Sequence, residues 1–188
     1  DDKKARFIEQ YKISEYDAGL IISDINFSNF FDNSVNTSNK SSEELNTRAK
    51  TIANLLLTEV NRLLNIQNIL INQTKLTPLA INEIAELLES GDINSTVGKQ
   101  VLEETFKSGD SPKKIVKEKG LIQITDSDSL IPVIEVVLDK NPDAVNDYIN
   151  GKDTAVRFLV GQVMKETKGK ANPTLVSELL GSQLNLRK

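Results

Sequence analysis

Four of the prolines in this chain directly follow a residue that caps helices: Thr77-Pro78, Ser111-Pro112, Asn141-Pro142 and Asn172-Pro173. Proline is tolerated at the first helical position because the N–H it lacks has no intrahelical acceptor there, and Ser, Thr and Asn cap the helix just before it. Gly91, Gly109, Gly120, Gly151 and Gly169 stand where those helices should stop, since glycine enters the left-handed cap conformation at little cost. Together these signals predict helices over 78–90, 95–108, 112–119, 127–140, 142–150, 153–168 and 173–185. Ile81, Ile84, Ala85 and Leu88 give the first of these a core face, and Val97, Val101 and Phe106 line the second. Leu121, Ile122 and Ile124 could form a short extended piece, but no partner strand is evident. The helices do not repeat with a fixed period, so no solenoid is expected. The expected fold class is all-α.

The first part of the chain carries the same kind of signal. Phe7, Ile8 and Tyr11 line one helical face, and Ser14 with Asp17 starts a second helix holding Ala18, Leu20, Ile21 and Ile22. Phe27, Phe30 and Phe31 fall at helical spacing and read as a packing cluster. Asn33 to Ser42, rich in Asn and Ser, reads as a mobile loop. Ser41 and Glu44 then form a capping box ahead of Leu45, Ala49, Ile52, Leu56, Val60 and Leu63, the apolar stripe of a helix of about 20 residues, or ~30 Å. That helix can extend into the Asn- and Gln-containing segment from Asn65 to Lys75 before the chain turns. A division near Gly120 is expected, with a helical domain over 1–119 and a smaller bundle over 120–188.

Several function classes are excluded by what the chain lacks. It has no Cys, His or Trp, so disulfides, Cys or His nucleophiles and Cys/His zinc sites do not arise. The Gly98-Lys99 step is no phosphate-binding P-loop: Gly91 lies too far upstream, Gln100 stands in place of Ser/Thr, and no strand precedes it. The carboxylates of Glu43 and Glu44, Glu103 and Glu104, and Asp126 and Asp128 read as helix-start acids and solvated faces. No nucleophile is paired with a base, so independent catalysis is not expected. No run approaches the ~18 apolar residues that cross a bilayer. Asp1 to Lys12 is charged where a secretory signal would be apolar, and the lack of cysteine fits a cytoplasmic location. The start at Asp1, without Met, suggests a piece of a longer polypeptide. Formal charge is −4, yet Lys152 to Lys188 holds seven basic and three acidic residues.

That basic segment contains Phe158 to Pro173, FLVGQVMKETKGKANP. On a helix, Ala155, Phe158, Leu159, Gln162 and Val163 share one face, with Met164 beside them. Gly161 in mid-helix costs roughly 1 kcal/mol against alanine, which calls for a compensating reason such as close approach of another helix or of an RNA backbone. Lys165 and Lys168 mark the helix end, and Lys170 follows Gly169. Asn172 and Pro173 begin the next helix, whose N–H groups, if free, would join the lysines in a phosphate site. The alternative is that the lysines merely favour the C-terminal end of the helix dipole and stay solvated.

FLVGQVMKETKGKANP followed by TLVSELL resembles the end of the B subunit of bacterial-type aspartyl/glutamyl-tRNA amidotransferases, a tail shared with small YqeY-like proteins. RFIEQYKISEYDAGLI from Arg6, INSTVGKQVLEE from Ile93, SGDSPKKIV from Ser108 and KEKGLIQITDSDSL from Lys117 resemble the same family. The match upstream through Arg6 to Ile21 disfavours a complete YqeY-like protein. The resemblance implies a helical domain followed by a YqeY-like tail, taken from an enzyme that converts Glu-tRNA(Gln) to Gln-tRNA(Gln) or Asp-tRNA(Asn) to Asn-tRNA(Asn). It implies ATP and magnesium for the parent enzyme, used in an N-terminal domain missing here, and no catalytic residue, metal or cofactor in this segment. It implies tRNA, an amidase subunit and a small accessory subunit as partners. Lys165, Lys168 and Lys170 match the motif and become candidate RNA contacts, with Arg157 beside them. Shape recognition is expected because no aromatic platform accompanies the lysines. The competing expectation is a protein-interaction module that docks its partners without touching RNA.

Overall fold

The computed structural model describes residues 2–37 and 41–188. The chain forms two compact units, Asp1–Gly120 and Leu121–Lys188. The fold is all-α, as the punctuation predicts, with no named strand among the described residues. Among the described residues no helix is long and apolar enough to cross a membrane.

The first unit opens with α1 (Asp2–Tyr11), α2 (Glu15–Ile22) and α3 (Ile25–Asn36). The Ser14 hydroxyl accepts from the Asp17 backbone N–H at 3.0 Å, as the Ser14/Asp17 signal predicts. Phe7 and Tyr11 of α1 meet Phe31 of α3 edge-on, with centroids 5.0 and 5.9 Å apart. The phenylalanine cluster is therefore core, although Phe27 is only half-buried. Arg6 and the Tyr11 hydroxyl both donate to the Asp32 carboxylate, the latter at 2.7 Å.

The predicted loop from Asn33 to Ser42 is corrected at both ends. Asn33 to Asn36 continue α3, and Ser34 and Val35 are fully buried. Local hydrogen bonds offset the low helix propensity of these residues: the Ser34 hydroxyl donates to the Phe30 carbonyl at 2.8 Å, and the Asn36 amide to Asp32 at 3.2 Å. Ser42 begins α4; residues 38–40 of that predicted loop lie outside the described residues.

The long helix runs on into the segment that begins at Asn65, as the sequence allows, and ends at Gln67. α4 (Ser42–Leu55) passes through a π turn, Leu56–Val60, directly into α5 (Asn61–Gln67). The capping box of Ser41 and Glu44 is present. Ala49, Ile52, Leu56, Val60 and Leu63 are buried as the stripe predicts. Beside that stripe lies Arg48, 1% exposed. Its Nε donates to Glu89 at 2.9 Å, and its Nη1 donates to the Asn82 side-chain carbonyl. Nη2 lies 2.9 Å from Glu89 Oε2, yet off the hydrogen-bonding direction. The Asn82 amide in turn donates to the Ser34 carbonyl at 2.7 Å. This polar chain ties α3, α4 and α6 (Pro78–Glu89) together.

α7 (Ser95–Ser108) and α8 (Pro112–Glu118) complete the unit. Gly98, of the Gly-Lys step, is a packing residue. A Cβ there would come within 3.0 Å of Leu88 Cδ2, so glycine lets α7 approach α6 closely. The five predicted glycine stops all have positive φ.

The second unit contains α9 (Ser127–Lys140), α10 (Pro142–Ile149), α11 (Thr154–Glu166) and α12 (Pro173–Asn185). Leu130, Ile134 and Leu138 of α9 and Val176, Leu180 and Leu184 of α12 repeat every four residues, and all belong to its core. The extended piece before α9 does find a partner, though not a strand. The Ile124 N–H donates to the Lys170 carbonyl at 2.7 Å, and the Asn172 N–H donates to the Ile124 carbonyl at 3.2 Å.

Candidate nucleic-acid interface

α11 buries Ala155, Leu159 and Val163, spaced four apart. Phe158 does not join them. It is 51% exposed, because a residue adjacent to Leu159 lies about 100° around the helix and this core stripe is narrow. The expected face is corrected accordingly, and Gln162 and Met164 are half-buried at its margins. On the outward side, Arg157, Gly161 and Lys165 recur every four residues, all exposed.

The corner after α11 is built by the backbone. The Gly169 N–H donates to the Met164 carbonyl at 2.7 Å and the Lys168 N–H to the Lys165 carbonyl at 3.1 Å. This paired closure is a Schellman motif, which satisfies carbonyls that the helix end would leave open. Its left-handed position is filled by Lys168, at φ 54°, with Gly169 following at φ 75°. The stop therefore falls one residue earlier than Gly169 predicts. A side chain at such a position costs roughly 1–2 kcal/mol. The two hydrogen bonds to Ile124 then hold Lys170 and Asn172 in place.

The expected contribution from the start of α12 is absent. Asn172 Oδ1 accepts from the Thr174 and Leu175 N–H groups at 3.0 and 3.1 Å, and Pro173 has no N–H. The Val176 N–H donates to the Asn172 carbonyl at 2.9 Å. The donors that would face an anion are already satisfied, so any phosphate site at this corner has to be made by side chains.

Those side chains are distinguished by what they lack. Residues 121–151 hold six carboxylates and one lysine, and residues 152–188 hold seven cations and three carboxylates. Of the seven, Lys152 pairs with Asp147 at 2.9 Å, Arg187 pairs with Asp139 at 2.8 Å, and Lys188 lies over the Tyr148 ring. Glu166, the carboxylate nearest the lysine cluster in sequence, is paired with Lys140 at 3.5 Å. Among the described residues of this unit, the cations left with no side-chain partner are Arg157, Lys165, Lys168 and Lys170. Lys165 ends α11, Lys168 and Lys170 occupy the corner, and Arg157 lies two turns back along the outward stripe.

Four of the six carboxylates that the sequence sets in pairs have structural partners, Glu44 through the capping box. Asp126 caps α9 through the Asp128 and Ser129 N–H groups, and the Ser129 hydroxyl and these N–H donors hold its carboxyl below the ordinary range. Glu103 pairs with Arg62, and Glu104 with Lys119. No group of three or more metal-ligating side chains occurs among the described residues.

Comparison with known proteins agrees with the sequence motifs. Residues 31–184 match the family model described as GatB domain. The chain is 40% identical over 184 residues to the B subunit of the aspartyl/glutamyl-tRNA(Asn/Gln) amidotransferase of Clostridium tetani (strain Massachusetts / E88). It is 41% identical over 187 residues to the protein of that name in Caldicellulosiruptor bescii, and 39% over 186 residues to that in Lactobacillus johnsonii. These alignments cover 98–99% of this chain and 37% of each relative's length. The resemblance carried by FLVGQVMKETKGKANP and the upstream stretches is borne out: the chain belongs to the GatB domain family, with its helical, YqeY-like architecture.

Proposed function

We propose that this chain is the C-terminal, tRNA-binding region of the B subunit of an aspartyl/glutamyl-tRNA(Asn/Gln) amidotransferase. In this reading Lys165, Lys168 and Lys170, with Arg157, hold phosphates of the tRNA body. ATP- and magnesium-dependent activation of the misacylated tRNA belongs to a domain outside this chain, and an amidase and a small accessory subunit complete the enzyme. The observation that carries the reading is the set of four cations left without side-chain partners at one helix end and along its outward face. A lysine held in the left-handed conformation at that corner adds to it, since strain of this kind concentrates at functional sites.

The test is a band-shift titration of the chain with tRNA, repeated with Lys165, Lys168 and Lys170 all changed to alanine. None of the three is buried, so the variant should keep its fold. Its affinity should fall by about tenfold or more at physiological salt; equal binding by both proteins would remove the lysines from the interface.

One observation favours a second reading, a module that docks the other proteins of the complex. Phe158 exposes an aromatic ring on the same helix, and such rings anchor protein interfaces. That reading predicts partner capture without RNA and little salt dependence of any residual tRNA binding.

A further inference from the structure

The outward face of α11 has two features that phosphate binding by lysines leaves unexplained. Phe158 is 51% exposed and, among the described residues, makes no ring pair. One turn further on, Gly161 sits in mid-helix, and a Cβ built there would meet nothing within 4 Å. Packing therefore does not require glycine, although alanine would suit the helix better. Gln162, four residues from Phe158 and thus its neighbour along the helix, is half-buried and has no hydrogen-bond partner for its amide among the described residues. Arg157 and Lys165 flank these positions, eight residues or about 12 Å apart along the axis.

We infer that Phe158, Gly161 and Gln162 form a platform for one unpaired nucleobase of the bound RNA. The base stacks on the Phe158 ring and lies over the bare helix at Gly161. The Gln162 amide, both donor and acceptor, reaches the base edge. Arg157 and Lys165 take the phosphates on either side. Recognition of RNA loops works through such splayed, stacked bases, and an aromatic face accepts any base. The inference departs from the expectation that no aromatic platform accompanies the lysines, because Phe158 is exposed rather than packed. A base is favoured over an apolar protein surface because the flanking cations would lose water against the latter without gaining a countercharge. The inference rests on the tRNA reading and adds a contact to it.

Three variants test it, each at an exposed position. Phe158→Leu keeps apolar bulk and removes the π face. Gly161→Leu places a side chain over the bare helix. Phe158→Trp gives the chain its only tryptophan. Phe158→Leu and Gly161→Leu should each bind tRNA about fivefold or more weakly, with an unchanged salt slope because no phosphate contact is lost. The indole of Phe158→Trp should be quenched by tRNA and not by a fully paired RNA duplex. If wild type and Phe158→Leu bind alike while the triple lysine variant fails, the platform is overturned and the tRNA reading stands. If Phe158→Leu binds tRNA normally but loses capture of the amidase, the face belongs to protein docking and the platform is likewise overturned. If the wild-type chain does not bind tRNA, both readings fall.

Discussion

Arg48 holds a positive charge in the core of the first unit. Its position beside Ala49 on a buried stripe is visible in the sequence, but a cation there contradicts the pattern unless partners arrive from elsewhere. They come from 34 and 41 residues away, as Asn82 and Glu89. Removing one member strands the other, and an uncompensated buried charge costs about 3–5 kcal/mol. Glu89 keeps some contact with water, so Glu89→Ala should lower unfolding free energy by about 3 kcal/mol, measured in urea. Asp32 offers a pH-dependent counterpart. Burial acts to raise its pKa, but hydrogen bonds from Arg6 and Tyr11 outweigh it and hold the carboxyl below the ordinary 3.8. A depressed carboxyl stabilises the fold above its unfolded pKa and loses that contribution as pH falls through the folded value. Asp32→Asn should therefore be less stable than wild type near neutrality, and the gap should narrow progressively as pH falls below about 4. Thermal unfolding of both proteins from pH 7 to about pH 2.5 measures this.

At the scale of elements, helix ends are the most legible feature. Every cap-proline pair begins a helix and every predicted glycine stop has positive φ, because caps and stops are settled within a few residues. Two of the failures share a cause, a partner remote in sequence. Asn33 to Asn36 read as loop by composition, yet they remain helical where Ser34 is buried and its carbonyl accepts from Asn82. Ile124 is legible as extended, but not its pairing with the corner at Lys170 and Asn172. Spacing alone sets Phe158 near Leu159 and so in the core, and only the narrow packing of α11 turns it outward. The cap at Asn172 links element to site. Replacing it by alanine frees the Thr174 and Leu175 N–H groups and should destabilise the fold by about 1 kcal/mol, while glycine should cost only a few tenths. Thermal melts of Asn172→Ala and Asn172→Gly give the comparison.

Across the whole molecule, the sequence shows the excess of positive charge after Lys152 but not which cations are committed. That depends on the fold, which sets Lys152 against Asp147 and Arg187 against Asp139. Sorting the paired from the unpaired cations leaves the set proposed to meet RNA. The net charge of −4 argues against general affinity for nucleic acid, so binding should depend strongly on those few cations. Each phosphate contact contributes about −0.9 to the slope of log affinity against log salt on the duplex figure. The most direct measurement is therefore the salt dependence of tRNA binding by the wild-type chain and by the variant with Lys165, Lys168 and Lys170 changed to alanine. If the three lysines hold phosphates, the variant's slope is shallower by about 2.7; parallel slopes would mean that they do not.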